Sequence, residues 1–307
     1  MAITAKMVQE LRDKTGAGMM DCKKALTETN GDMEAAVKFL REKGLAAAAN
    51  KSSKTTAEGI VKVILKSDRA AIAEINCETD FVARNDGFLE VADRMINIIF
   101  DNQPKTLDEL KNLKIDGMAV SEYLAEFIAK IGENVQVRRF DCVKIANDEI
   151  GWQYIHGGGK IGVLAKFKIS DTSKKDAAEF IELMKDICMQ IAASEPKYIA
   201  PADVSKEDMD NERAIYTQQM KNEGKPEHII SKIVEGKLVK YYEQVCLVEQ
   251  VFIKDAEKKV KQVIDEASKK LGIKIQPTYF ARYKVGEGIE KKKVDFAAEV
   301  QAQLQSK

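Results

Sequence analysis

The chain has 307 residues, and its 49 Lys and Arg are matched by 49 Asp and Glu, so the net charge is zero. That balance argues against a protein built to neutralise a phosphate backbone, which needs a basic excess. At 45% hydrophobic and 32% charged the composition is that of a soluble, folded chain of two or three domains.

No apolar run reaches about 18 residues, so no membrane span is expected. The N-terminus has neither the apolar stretch of a secretory signal nor the Arg-rich character of a transit peptide, and a cytoplasmic location is expected. Cys22, Cys77, Cys142, Cys188 and Cys246 are scattered, odd in number and without metal-ligand spacing. They read as small buried hydrophobes. With only His156 and His228, histidine-based catalysis has little material. No metal or cofactor site is expected.

Residues 1–44 read as three short helices. Thr4 caps the first, with Val8 and Leu11 on its apolar face and Gly16 as its stop; the second carries Cys22, Ala25 and Leu26. Asp32 caps the third, which Gly44 closes. Met19 and Met20 suit either the small core or, beside Lys23, a partner surface. Gly16-Ala17-Gly18 is not a dinucleotide fingerprint, because a helix precedes it and Asp21 holds the third-glycine position. An Ala-, Ser-, Thr- and Lys-rich linker with a helical start is expected at 45–56.

Residues 57–145 begin with a strand over Ile60–Leu65, a turn at Ser67-Asp68 and a return strand over Ala70–Asn76. Helices are expected over about 85–100 and 121–131, then an alternating strand from Val135 to Phe140. Cys77 to Asn85 is a connection holding two apolar residues, Phe81 and Val82. Phe81 either folds back onto its sheet or stands out as an aromatic wedge.

Residues 146–292 repeat the theme: strands at 151–156 and 161–167 around Gly157-Gly158-Gly159, then a helix over about 175–193. The glycines read as a hairpin turn needing positive φ, since the Walker pattern is broken at Tyr154 and Ile161. His156 either caps that turn or makes a contact. Inserted at about 203–248 is an antiparallel helical hairpin, broken at Gly224-Lys225-Pro226, with Ile230, Ile233, Val234, Tyr241 and Val245 on its seam. A helix to Leu271, a strand over Pro277–Tyr283 and a C-terminal helix in 293–307 with Phe296 and Val300 on one face complete the chain. The expected fold is α+β, with two similar core subdomains side by side.

Four long motifs in order resemble the bacterial translation elongation factor Ts family over nearly the whole chain. They are Thr15–Leu26, Thr79-Asp80-Phe81-Val82, His156–Leu164, and Tyr283–Lys291 followed by Asp295–Val300. Val251 departs from the family's usual Pro, and the helical hairpin marks the family's longer form. The resemblance implies that residues 1–44 are a UBA-like domain. It implies a guanine-nucleotide exchange factor for elongation factor Tu, engaging the GDP-bound and nucleotide-free partner, with no direct nucleic acid or membrane and no chemical step of its own. Thr79, Asp80, Phe81 and Val82 would dislodge the partner's Mg²⁺; Met19, Met20, Lys23, His156, Gly157, Phe296 and Val300 would bind the partner. The rival readings are a non-catalytic interaction scaffold with a UBA-like module and a carboxylate-using enzyme.

Overall fold

The computed structural model describes residues 3–290. The C-terminal helix expected at 293–307, with Phe296 and Val300, lies outside these described residues. Three helices come first: α1 (Ala5–Thr15), α2 (Met19–Glu28) and α3 (Met33–Lys51). The Thr4 hydroxyl accepts from the Met7 amide at 3.3 Å, and Gly16, at φ 68°, ends α1 in the left-handed conformation. Asp32 caps α3 by accepting from the Glu34 and Ala35 amides. Val8, Leu11, Cys22, Ala25, Leu26 and Ala36 form a small core of their own.

The stop expected at Gly44 does not occur, and α3 runs on to Lys51. A glycine inside a helix costs only about 1 kcal/mol, and here it has a packing use. Gly44 is buried against α7 (Val120–Ile131), where an added Cβ would meet the Ala129 methyl at 3.3 Å. Arg41 pairs with Glu122 and Glu126 of α7 on the same seam.

The first sheet contains β1 (Glu58–Leu65), β2 (Arg69–Cys77) and β5 (Val135–Lys144) in the order β1-β2-β5, all antiparallel. Between β2 and β5 lie the one-turn α4 (Asp80–Ala83), α5 (Asp86–Asn102), α6 (Leu107–Asn112), the two-residue strands β3 (Lys114–Ile115) and β4 (Met118–Ala119), and α7. The second sheet contains β6 (Glu149–His156), β7 (Ile161–Ile169) and β10 (Ile275–Lys284) in the order β10-β7-β6. Its connections are α8 (Ala178–Ser194), the antiparallel pair α9 (Lys206–Asn222) and α10 (Glu227–Val245), the short ladder of β8 (Val251–Phe252) and β9 (Asp255–Lys259), and α11 (Val260–Leu271). The chain is an α+β protein.

The layers follow from strand alternation. On β2, Ala71, Ala73, Ile75 and Cys77 join Phe88, Met95 and Ile99 of α5 in one core. Ala70 and Ile72 point the other way, with Val61, onto Leu164, Ala281 and Tyr283 of the second sheet. The opposite face of that sheet, through Val163, Ala165, Phe167 and Ile169, meets Phe180, Met184 and Ile187 of α8. The two sheets therefore pack face to face between α5 and α8. Small residues permit the approach: a Cβ on Gly162 would fall 2.4 Å from Val61 Cγ1.

One charged residue of β2 is fully buried. Glu74 lies opposite Arg139 in register. Its carboxylate accepts from Arg139 Nε at 2.6 Å, Arg138 at 3.1 Å, Asn76 Nδ2 at 3.1 Å and the Gly286 amide at 2.8 Å. Arg139 also reaches Glu287, which holds Arg282 of β10 at 3.1 Å, and Arg282 in turn pairs with Glu195 just after α8. Burial raises the carboxyl pKa of Glu74, but the Gly286 amide, Asn76 and Arg139 outweigh it and hold it below the ordinary value.

Losing one partner of a buried ion pair costs about 3–5 kcal/mol. Glu74→Gln should therefore lower the unfolding free energy by about 3 kcal/mol at neutral pH, read by urea denaturation. Because the folded pKa is depressed, the wild-type advantage is full above the ordinary carboxylate value and declines as pH falls through the lower folded one. The gap between the two proteins should close in acid.

Candidate functional site

The segment after β2 is built as a latched turn. Thr79 is the N-cap of α4, its hydroxyl accepting from the Val82 amide at 3.3 Å. Glu133, in the connection from α7 to β5, accepts from the Glu78 and Thr79 amides at 3.1 and 3.0 Å and from the Thr79 hydroxyl at 2.6 Å. Glu78 returns the contact, accepting from the Asn134 amide at 2.7 Å. Ala83 is buried and Val82 packs against the first core.

With those two side chains turned inward, the helical rotation carries Phe81 outward. Phe81 is 82% exposed, more than any other large apolar side chain among the described residues. The expectation that it folds back onto its sheet is not met. Asp80 and Arg84 pair across the same turn at 3.3 Å.

The hairpin turn at His156–Lys160 stands at the same end of the first sheet. Gly157, Gly158 and Gly159 have φ of 59°, 64° and 95°, and a Cβ on Gly159 would meet Ile60 Cγ1 at 2.4 Å. Only glycine satisfies both the handedness and the space. Lys160 Nζ pairs with Glu58 at 2.7 Å, and Glu58 pairs in register with Cys77, two residues before Thr79. His156 is exposed and does not cap the turn; its Nδ1 lies 3.0 Å from the Tyr154 hydroxyl.

Met19, Met20 and Lys23 are exposed on α2, flanking the face that buries Cys22, Ala25 and Leu26. Met19 is 45% and Met20 76% exposed, which places both outside the small core. α2 packs on α3, which runs along α7 and is tied through Lys51 to the Gly132 carbonyl, next to Glu133. Sequence reasoning missed Glu133 and Tyr154. The only cue to Glu133 is an acidic residue directly after the helix-ending Gly132.

Burial pushes the Cys77 thiol up to about 12 and those of Cys142 and Cys246 up to about 11, so these thiols stay protonated near neutral pH. Among the described residues no group of three His, Cys, Asp or Glu is placed to hold a metal ion. No helix among them is long and apolar enough to cross a membrane.

Exposed apolar side chains on rigid turns form the kind of surface with which proteins hold other proteins. The sequence model of the family described as "Elongation factor TS" matches residues 78–287. Elongation factor Ts of Clostridium perfringens (strain SM101) is 51% identical over 301 residues, spanning 97% of this chain and 98% of the relative. Elongation factor Ts of Clostridium botulinum (strain Eklund 17B) is 49% identical, over 98% of this chain and 99% of the relative. That of Clostridium novyi (strain NT) is 47% identical, over 99% and 100%. The chain belongs to the elongation factor Ts family.

An outward Phe81 contributes little to its own fold. Phe81→Ala should leave the folding free energy within about 0.5 kcal/mol of wild type. A clear drop in the thermal midpoint of the variant would show that the ring is packed in solution.

Proposed function

We infer that this chain is a guanine-nucleotide exchange factor for elongation factor Tu in translation elongation, acting in the cytoplasm and performing no chemical step of its own. The exposed Phe81, carried on a turn latched to the core in a member of this family, is the observation that supports the reading most directly. In this reading Thr79, Asp80, Phe81 and Val82 form the element that enters beside the partner's nucleotide site and dislodges its Mg²⁺. Met19, Met20, Lys23, His156, Gly157, Phe296 and Val300 are the gripping contacts. Tyr154 donating to His156 Nδ1 would leave Nε2–H as a donor for the partner.

The finer architecture belongs to the same reading. Residues 1–44 act as a UBA-like module joined by 45–56 to a core N-subdomain at 57–145. A core C-subdomain spans 146–292 with the helical hairpin inserted at about 203–248, and 293–307 is a C-terminal helical module.

Exchange by such a factor is a matter of differential affinity. The factor must bind the nucleotide-free partner better than the GDP-bound one, and by linkage GDP weakens the factor's binding by the same ratio. Mg²⁺ demands near-ideal octahedral geometry. A wedge that moves its ligands slightly thus removes much of what holds GDP, and GTP can then enter.

Magnitudes limit Phe81's share. Fully burying a Phe side chain is worth about 1.5–3 kcal/mol, or about 10- to 150-fold in rate if all of it is differential. Phe81→Ala should slow stimulated GDP release by a factor within that range while partner binding persists through the other contacts. Stopped-flow release of a fluorescent GDP analogue from elongation factor Tu is the measurement. Binding by the wild-type chain with no change in GDP release would replace the exchange reading with the scaffold one.

A further inference from the structure

We propose that Glu133 is a positioning residue for exchange: it holds the Phe81 turn in its outward geometry before the partner arrives. This rests on the exchange reading of Phe81 and extends it to a residue outside the wedge. Without Glu133, the Glu78 and Thr79 amides and the Thr79 hydroxyl would lose their shared acceptor. These donors precede the four-residue α4, which is too short to be stable by itself. Its set therefore depends on how its first residues are tied down.

Glu133 is itself held. Gly132, at φ 85°, ends α7 in the left-handed conformation, and its carbonyl accepts from Lys51 Nζ at the end of α3. Asn134 is buried, and its side chain donates to the Lys54 carbonyl at 3.1 Å. The Asn134 amide donates to Glu78. The Gly132–Asn134 turn is thus tied on one side to the end of α3 and on the other to the turn that presents Phe81. The path has a physical use. Fixing a residue's backbone costs about 1–2 kcal/mol, and a turn ordered in the free protein does not incur that cost during engagement. Phe81's burial energy is then spent on the partner.

Among the described residues, Glu133 hydrogen-bonds Glu78 and Thr79 and none of Met19, Met20 or His156. Removing it should loosen the wedge without touching Met19, Met20 or His156. At saturating factor, Glu133→Ala should lower the maximal rate of GDP release roughly tenfold, with the half-saturating factor concentration little changed. Glu133→Gln should recover part of the rate, because its amide oxygen can still accept from the two backbone N–H groups.

The discriminating test is a double-mutant cycle read by stopped-flow release of a fluorescent GDP analogue, with hydrogen exchange on each free protein. If Glu133 acts through Phe81, adding Glu133→Ala to Phe81→Ala slows release little further. Exchange of the 78–85 amides should rise about tenfold in the free Glu133→Ala protein while β2 and α5 stay protected. Equal slowing in both backgrounds, or wild-type release by Glu133→Ala, overturns the positioning role. Loss of protection across β2 and α5 as well would show a general stability role and overturns it too. If Phe81→Ala releases GDP at the wild-type rate, the wedge reading fails first and takes this role with it. The exchange data on the free proteins then show whether the latch itself was correctly assigned.

Discussion

A single buried carboxylate organises the junction of the two sheets. Glu74 lies on the strand whose two faces serve α5 and the second sheet, so it could not be solvated without parting the layers. Its hydrogen bonds reach Arg138 and Arg139 within its own sheet and the Gly286 amide after β10. Through Arg139 and Glu287 the network continues to Arg282, whose side chain is 6% exposed, and to the Ala192 carbonyl at the end of α8. Desolvating one carboxylate is costly, and only several fixed donors offset it. Apolar packing of Ala70 and Ile72 against Leu164 and Ala281 does not by itself fix one alignment of the sheets; the Glu74 cluster does. The β1–β2 ladder, with Glu58 opposite Cys77, fixes where the turns at those two strand ends stand relative to each other.

Much of the local structure is legible in the sequence because its signals are short-ranged. Thr4 and Asp32 announce helix starts, and the strand pair around Ser67-Asp68 and the break at Gly224–Pro226 fall where the residues place them. The extension of α3 past Gly44 is not legible. It depends on Ala129 and Glu122, about 80 residues away, accepting a helix without a Cβ at that point.

The pairing of β10 with β7 is hidden for a related reason. The strand over Pro277–Tyr283 is readable, but more than 100 residues separate it from its partner, and alternation does not name a neighbour. Glu74 could be noticed as one acid in an apolar strand, and Arg138-Arg139 as a basic pair in another. Their register, Glu74 opposite Arg139, joins residues 65 positions apart, which no local pattern names. The direction of Phe81 is similar: four residues have too little periodicity to choose a face, and the choice falls to Val82 and Ala83 filling the core.

The unbroken α3 has a consequence for how a second macromolecule would be held. At 1.5 Å per residue its 19 residues span about 28 Å, clamped along α7 and tied at its far end to the turn below Phe81. The α2 face with Met19 and Met20 is therefore carried on a strut and not on a tether. In the exchange reading, two contact surfaces on one stiff frame would behave as a bivalent ligand whose second engagement needs no search through chain conformations. Its local concentration is set by geometry and not by linker length. A flexible joint at Gly44 would leave each surface intact and still weaken their joint avidity.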